Sequence, residues 1–353
     1  MAVQAQNKAP LKVGVIGLTH THVHWILGRE DRGDIEIVGI VEPNQDLAKR
    51  YMVQHDLSME LVYESMEAMM QSVQPEAVTA FGSIYEHLEV VQFFAPLGIH
   101  VMVEKPLAVS MKHASAMKEL AEKHQIHLLT NYETSWYAAN KRAYDMVQAG
   151  ELGVLRKVIV RDGHQGPIEI GVNQEFLDWL TDPVQNGGGA VTDFGCYGAN
   201  LVTWLNKGVK PIAVSAITQT YKPDKYPKVD DEAVILLEYE HMTAILEASW
   251  NWPFNRKDME VYGATGYVIS DNGSQLRMRL SEADALSTHQ IEPLEAPLDD
   301  PFALLAAVVQ DGLTIPDHDV SALENNMIVM EILDAARKSA KTGKKVYLKG
   351  FRE

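Results

Sequence analysis

Three short stretches carry side chains whose types and spacing could do chemistry. In Gly17-Leu18-Thr19-His20-Thr21-His22-Val23-His24 a glycine closes an apolar run and three imidazoles follow at alternate positions. Glu104-Lys105-Pro106 directly follows another apolar run. Residues 186–205 open on a glycine triplet and place Asp193 four residues before Tyr197. On a helix that spacing puts carboxylate and phenol on one face. A free phenol, with a pKa of about 10, is a poor base at neutral pH. A nearby ammonium favours the phenolate, and Lys105 is the candidate to supply it. Each stretch alone also has a plainer reading: a solvated ion pair, a flexible turn, an exposed acid beside a half-buried ring.

The imidazoles admit two readings. An H-x-H after a first strand can ligate metal in hydrolase barrels. A barrel needs eight strand–helix units with further ligands at later strand ends, and the second half of the chain does not follow that pattern. If 19–29 is helical, His20 and His24 share a face and His22 points elsewhere. We therefore expect the histidines to line a helix N-terminus, with no metal bound. Gly17 then supplies a tight turn and Glu42, 25 residues on, an acid for ribose hydroxyls. These are parts of a dinucleotide site, and an acid at that place favours NAD over NADP. The departure is that positions 19 and 22, glycine in G-x-G-x-x-G, are Thr19 and His22, so close backbone approach is partly lost.

The elements that must position these residues follow from periodicity. Apolar runs at 12–18, 35–42, 77–81, 100–103 and 127–130 alternate with helical patterns at 45–54, 86–97 and 111–124. Strands apolar on both faces and separated by helices predict a parallel sheet covered on both sides, a doubly wound α/β domain over residues 1–132. After a helix at about 137–149, strand-like segments lie at 155–162, 210–220, 233–239, 243–250, 258–262 and 266–270. Helices are expected at 193–206 and 319–341. Residues 133–353 thus read as an α+β domain with an open, mostly antiparallel sheet.

With 48 acidic against 31 basic side chains, a net charge of −17 disfavours nucleic acid and anionic membranes as partners. The single cysteine, Cys196, excludes an internal disulfide and a thiolate zinc cage. No run approaches the roughly 18 apolar residues of a membrane helix. A cytoplasmic protein is the default expectation; Ala2-Val3-Gln4-Ala5-Gln6 as the stump of a trimmed export signal is the alternative.

Taken together, Glu104-Lys105-Pro106 and residues 186–205 resemble the signature of the glucose–fructose oxidoreductase/inositol dehydrogenase/rhizopine-catabolism (Gfo/Idh/MocA) family. Supporting similarity lies in AGELG (149–153), VDDEAVILLEYE (229–240), ASWNWP (248–253), VYGATGYV (261–268) and SAKTGKKVYL (339–348). The resemblance implies a Rossmann domain binding NAD, hydride transfer at a secondary hydroxyl of a sugar or polyol, and a homodimer or homotetramer. It implies Lys105, Asp193 and Tyr197 as the catalytic set, with Lys105 near the reacting hydroxyl and a cis peptide before Pro106. Cofactor contacts would come from Gly17, Leu18, Thr19, His20, Thr21, His22, Glu42, Gly82, Ser83, His87, Glu104 and Lys105. Substrate contacts would come from Tyr132, Glu133, His164, Asp193 and Tyr197. Many members have histidine at the place of Tyr197, which resembles the branch containing glucose–fructose oxidoreductase. Asn131-Tyr132-Glu133 stands where members often have Asn-x-Arg, which points to neutral sugars, polyols or glycosides. Trp179, Trp250 and Trp252 could stack on a pyranose or simply pack. Two rival functions share the fold: a cofactor-recycling glycoside-cleaving enzyme that oxidises its sugar transiently, and a non-catalytic sugar or nucleotide sensor.

Overall fold

The structure is a computed structural model that describes residues 8–348 and 350. The possible export stump, Ala2–Gln6, lies outside the described residues. Strands β1 (Leu11–Ile16), β2 (Ile35–Val41), β3 (Val62–Tyr63), β4 (Ala77–Ala80), β5 (His100–Glu104) and β6 (Leu128–Asn131) form a six-stranded sheet in the order β3-β2-β1-β4-β5-β6. Every neighbouring pair is parallel. The strand order reverses between β1 and β4, so the carboxyl ends of these strands open a crevice. Leu11, Val13 and Val15 are fully buried because helices cover both faces. Those helices start where the sequence provides caps: Asn44 accepts from the Asp46 and Leu47 amides, and Ser110 accepts from the His113 amide.

A second sheet has nine strands: β7 (Leu155–Gly163), β8 (Ala213–Gln219), β9 (Glu232–Glu238), β10 (Thr243–Ser249), β11 (Arg256–Gly263), β12 (Tyr267–Ser270), β13 (Gln275–Arg279), β14 (Ser287–Gln290) and β15 (Val346–Tyr347). Their order is β14-β13-β12-β11-β7-β10-β9-β8-β15. All neighbours are antiparallel except β7 and β10. One face packs on the helices Gly195–Leu205 and Leu323–Thr342. The other is open: along β9, Ala233, Ile235 and Leu237 are buried while Val234 and Leu236 are 40% and 43% exposed. No helix among the described residues is long and apolar enough to cross a membrane.

Three local readings are corrected. The segment after Gly17 is not helical until Val23, and that helix ends at Leu27, so a helical-face argument does not apply to His20 and His22. The helix expected at 193–206 is two pieces, Ala190–Asp193 and Gly195–Leu205, broken at Phe194. Residues 301–310, left unassigned by periodicity, form the helix Pro301–Gln310, capped by Asp300. Its apolar side chains surround the axis, which erases the 3.6-residue pattern. Phe302, Leu304, Leu305 and Val308 pack with Leu11, Val13 and Val15, so the chain returns to the first sheet after residue 300. Phe302→Ala should therefore destabilise the protein by about 3–5 kcal/mol, as for a buried aromatic truncated in a core. Urea denaturation with a loss below about 1 kcal/mol would show that this helix does not complete the first core.

Candidate active site

A cleft of about 630 Å³ lies between the two sheets, lined by Lys105, Asp193, Tyr197, His164 and Lys257 among others. Lys105 reaches it from the end of β5, and the peptide before Pro106 is cis. Its ammonium donates to Asp193 Oδ1 at 2.5 Å and to the Asp193 carbonyl at 3.1 Å. Trp250 Nε1 donates to the other Asp193 oxygen at 3.0 Å. The pair is almost sealed from solvent, with both side chains 6% exposed. Burial alone would raise the Asp193 carboxyl, but the charge and hydrogen bond of Lys105 outweigh it and hold Asp193 below its usual range. Burial opposes charge on Lys105 too, and Asp193 reverses that, raising the ammonium.

The glycine-rich entry explains why Asp193 sits there. Asp230 accepts from the Gly189, Ala190 and Val191 amides. A Cβ on Gly189 would lie 1.8 Å from the Asp230 carbonyl oxygen, so only glycine closes this turn.

Tyr197 lines the cleft, but its environment corrects one expectation. Lys105 lies 5.0 Å from the Tyr197 ring centre, with its bonds directed to Asp193. Burial, reinforced by Glu133 and Asp162, pushes the phenol well above its ordinary value, so it stays protonated at neutral pH. Lys105 therefore does not lower it. Tyr132 is a second correction: it is fully buried behind Tyr197, the rings edge to face at 5.4 Å, and it does not line the cleft. Glu133 does, bonded by Tyr137 at 2.7 Å and paired with Lys257. His164 lines the cleft as well. Its Nδ1 accepts from the Gly166 amide at 2.9 Å, which places the neutral ring's proton on Nε2. Trp179 and Trp250 are buried, and none of Trp179, Trp250 and Trp252 lines the cleft.

Two residues escaped notice in the sequence. Lys257, on β11, stands 4.7 Å from the Tyr197 ring centre, a second ammonium beside that ring. Asp162, at the end of β7, is 2% exposed and neither oxygen has a partner among the described residues. Burial raises its carboxyl far above the usual range despite Lys257. Period-two spacing holds the signal: Val158, Val160 and Asp162 face one way, as do Lys257, Met259 and Val261. A charge in register with inward apolar positions marks a site.

At the carboxyl end of β1, a separate cavity of about 250 Å³ is lined by Gly17, Pro43, Ser65, Gly82, Glu86 and His87. Gly17 has φ +79°, and a Cβ there would meet the Gly82 amide at 2.8 Å. Four glutamates and no lysine or arginine line this cavity. Glu42 is turned inward, accepting from the Leu18 and Asn44 amides. Ser83 is held by Glu86 and Gln185, and Leu18 is buried in the core. The Thr19 and Thr21 amides have no acceptor among the described residues.

Between cavity and cleft stand the imidazoles. His20 is 1% exposed, with Phe176 edge-on at 5.0 Å and Trp179 at 5.6 Å. The segment carrying those rings straps across the end of β1: Asn173 and Glu175 bond the Tyr51 hydroxyl, and Gln185 accepts from the Tyr85 amide. His22 Nδ1 lies 2.9 Å from Glu104 Oε2, while His24 turns away to His55. His20 and His22, not His20 and His24, are thus the pair brought together, because the segment is a loop. Burial, helped by Lys105, holds His22 at about 3. His87 donates to the Leu107 carbonyl at 3.1 Å, and burial holds it at about 4.

Residues 11–132 match the family model "Oxidoreductase family, NAD-binding Rossmann fold", and residues 140–269 match "GFO/IDH/MocA C-terminal domain". The chain belongs to the GFO/IDH/MocA family of oxidoreductases. It is 24% identical over 268 residues to a D-xylose 1-dehydrogenase [NADP(+)] of Haloarcula marismortui, covering 75% of this chain and 73% of that one. It is 24% identical over 224 residues to trans-1,2-dihydrobenzene-1,2-diol dehydrogenase of Homo sapiens, spanning 64% of this chain and 63% of that enzyme. An aldose-aldose oxidoreductase from Caulobacter crescentus superposes with a TM-score of 0.80 at 22% identity, over 96% of this chain and all of that one. An inositol dehydrogenase homolog from Azotobacter vinelandii, solved with NAD+, gives 0.81 at 17% over 96% and 97%. At these identities the two structures establish the fold.

The buried histidines make stability depend on pH. Burial holds His22 at about 3 and His87 and His164 at about 4 in the folded chain. The unfolded chain takes up these protons near pH 6.5. Folding free energy from this source is complete above that value and is lost as pH falls towards 4. The urea midpoint should drop between pH 7 and pH 5, and drop less in His87→Gln. An unchanged wild-type midpoint over that range would contradict the burial of neutral rings.

Proposed function

We propose that this chain transfers hydride between NAD(H) and a secondary carbon of a neutral sugar, polyol or glycoside, with Tyr197 and Lys105 as its proton-handling pair. The observation that carries the reading is the donor set around one cleft. The Lys105 ammonium, the protonated Tyr197 hydroxyl and the Nε2–H of His164 all line it. Such groups polarise a carbonyl and stabilise an alkoxide, the charge that develops when hydride adds to a ketone. In the resting site the protons are on the enzyme, the state that donates to an alkoxide formed when hydride adds to a ketone. Tyr197 gives its proton to the new alkoxide; in reverse it receives one. Asp193 holds the ammonium in place, and Glu133 with Lys257 offers partners for further hydroxyls.

The residues fit a nicotinamide dinucleotide at both ends. Gly17 and Gly82 leave room beside an adenosine-sized cavity, and the Thr19 and Thr21 amides, without an acceptor among the described residues, can face a pyrophosphate. Bound there, the cofactor supplies or accepts hydride. The cavity and the cleft share no lining residue, and the His20–Phe176–Trp179 contact divides them. Binding therefore lifts the strap from His20. An adenosine cavity with four glutamates and no cation repels a 2′-phosphate, which favours NAD(H). The open face of the second sheet, with Ile217, Val234 and Leu236 exposed, is the surface we assign to pairing with a second copy.

NADH oxidation with a panel of neutral keto sugars, and NAD+ reduction with the matching polyols, tests the reading. Tyr197→Phe should lower turnover by roughly 10²–10⁴ while cofactor affinity is retained. Tighter binding of NADP(H), or a Tyr197→Phe enzyme of undiminished rate, would contradict it.

A further inference from the structure

We propose that His20, His22 and Glu104 form a site for one divalent first-row transition-metal ion, open on the side of the cleft. The three side chains come from two elements that the fold brings together, the loop after β1 and the end of β5. One ligand atom from each lies within 4.8 Å of the others. His22 Nδ1 is 2.9 Å from Glu104 Oε2, and His20 Nε2 is 4.0 Å from the same oxygen. Tetrahedral bonds of about 2.1 Å set neighbouring ligand atoms about 3.4 Å apart, so an ion would replace the His22–Glu104 hydrogen bond, opening that spacing by about 0.5 Å, while His20 closes by about 0.6 Å.

Two independent features point to an occupant. The first is His20 itself. Its Nε2 is buried with no partner among the described residues, and it faces Glu104 while Phe176 and Trp179 seal the ring from water. A polar atom sealed without a partner is unfavourable unless something binds there. The second is the support of the carboxylate. Asn131 Nδ2 donates to Glu104 Oε1 at 2.7 Å, and Trp136 Nε1 fixes the Asn131 carbonyl at 3.0 Å. One oxygen of Glu104 is thereby anchored, and the other is presented to the imidazoles, as outer partners orient metal-binding carboxylates. His20 Nδ1 accepts from the His22 amide at 3.1 Å. Ligation through Nε2 puts the ring proton on Nδ1, so that hydrogen bond is given up.

The donor set selects the ion. Two imidazoles and one carboxylate suit Zn2+, Fe2+, Co2+ or Mn2+ rather than Mg2+ or Ca2+. The coordination sphere is incomplete, and His22 and Lys105 both line the cleft, so the vacant positions face the substrate. There an ion would polarise a carbonyl or alkoxide oxygen beside the Lys105 ammonium. The loop has thus exchanged the glycine at position 22 for a ligand.

The site stands apart from the hydride-transfer reading: a chain that binds metal but turns over no NADH keeps this inference and loses that one. The full chain, stripped with a chelator, is titrated with Zn2+ by calorimetry and its metal content measured. One equivalent per chain is expected, with binding at least about 100-fold weaker in both His22→Ala and Glu104→Gln. Absence of stoichiometric binding, or equal affinity in the variants, overturns the proposal. Should a variant fail to fold, the wild-type protein loaded with Co2+ decides. Two exchangeable imidazole N–H resonances shifted by the paramagnetic ion support it, and one or none overturns it.

Discussion

The buried ion pair between Lys105 and Asp193 is the contact on which the rest of the site depends. Lys105 stands at the end of a strand in the first sheet, and Asp193 at the break between two helices that pack on the second. Neither charge is tolerable alone at this depth, since removing one partner of a buried pair costs about 3–5 kcal/mol. Each therefore fixes the other, and with them the separation of the two layers. Trp250 and the turn closed on Asp230 hold the acid; the strand end holds the lysine. Tyr197, four residues past Asp193 and just beyond the break at Phe194, lines the same cleft.

Charge is arranged in opposite senses on the two sides of the β1 loop. The cleft presents Lys105, Lys257, a protonated phenol and neutral imidazole, with Lys105 paired to buried Asp193 and Lys257 to half-buried Glu133. The cavity beyond Gly17 is lined by glutamates without a cation. Between them the loop carries His22 where the G-x-G-x-x-G fingerprint has glycine, and His20 two residues before it. His20 meets Phe176 and Trp179, and His22 meets Glu104.

Much of this was legible in the sequence. Apolar runs separated by helical patterns located β1, β2, β4, β5 and β6, and alternation located β7 to β12. Glu104-Lys105-Pro106 and the glycine-rich run marked the two sides of the cleft because each combines a turn requirement with a charge beside apolar sequence. The omissions have physical causes. The strands β3 and β15 are two residues long, too short for a period. The helix Pro301–Gln310 is apolar all round and carries no stripe. Asp162 and Lys257 sit inside strands, visible only by following which face each residue takes. The phenol of Tyr197 was misjudged because its protonation depends on burial and on Glu133 and Asp162, which arrive from distant parts of the chain.

The most direct test is a double-mutant cycle on stability, built from Lys105→Met, Asp193→Asn and the double variant at pH 7. If the pair joins the layers, each single change leaves one buried group without its partner and should cost about 3–5 kcal/mol. The double change removes both problems together and should cost less than the sum, with a coupling of at least about 2 kcal/mol. Additive losses would mean that the two charges do not depend on each other, and the account of how the cleft is held would be wrong.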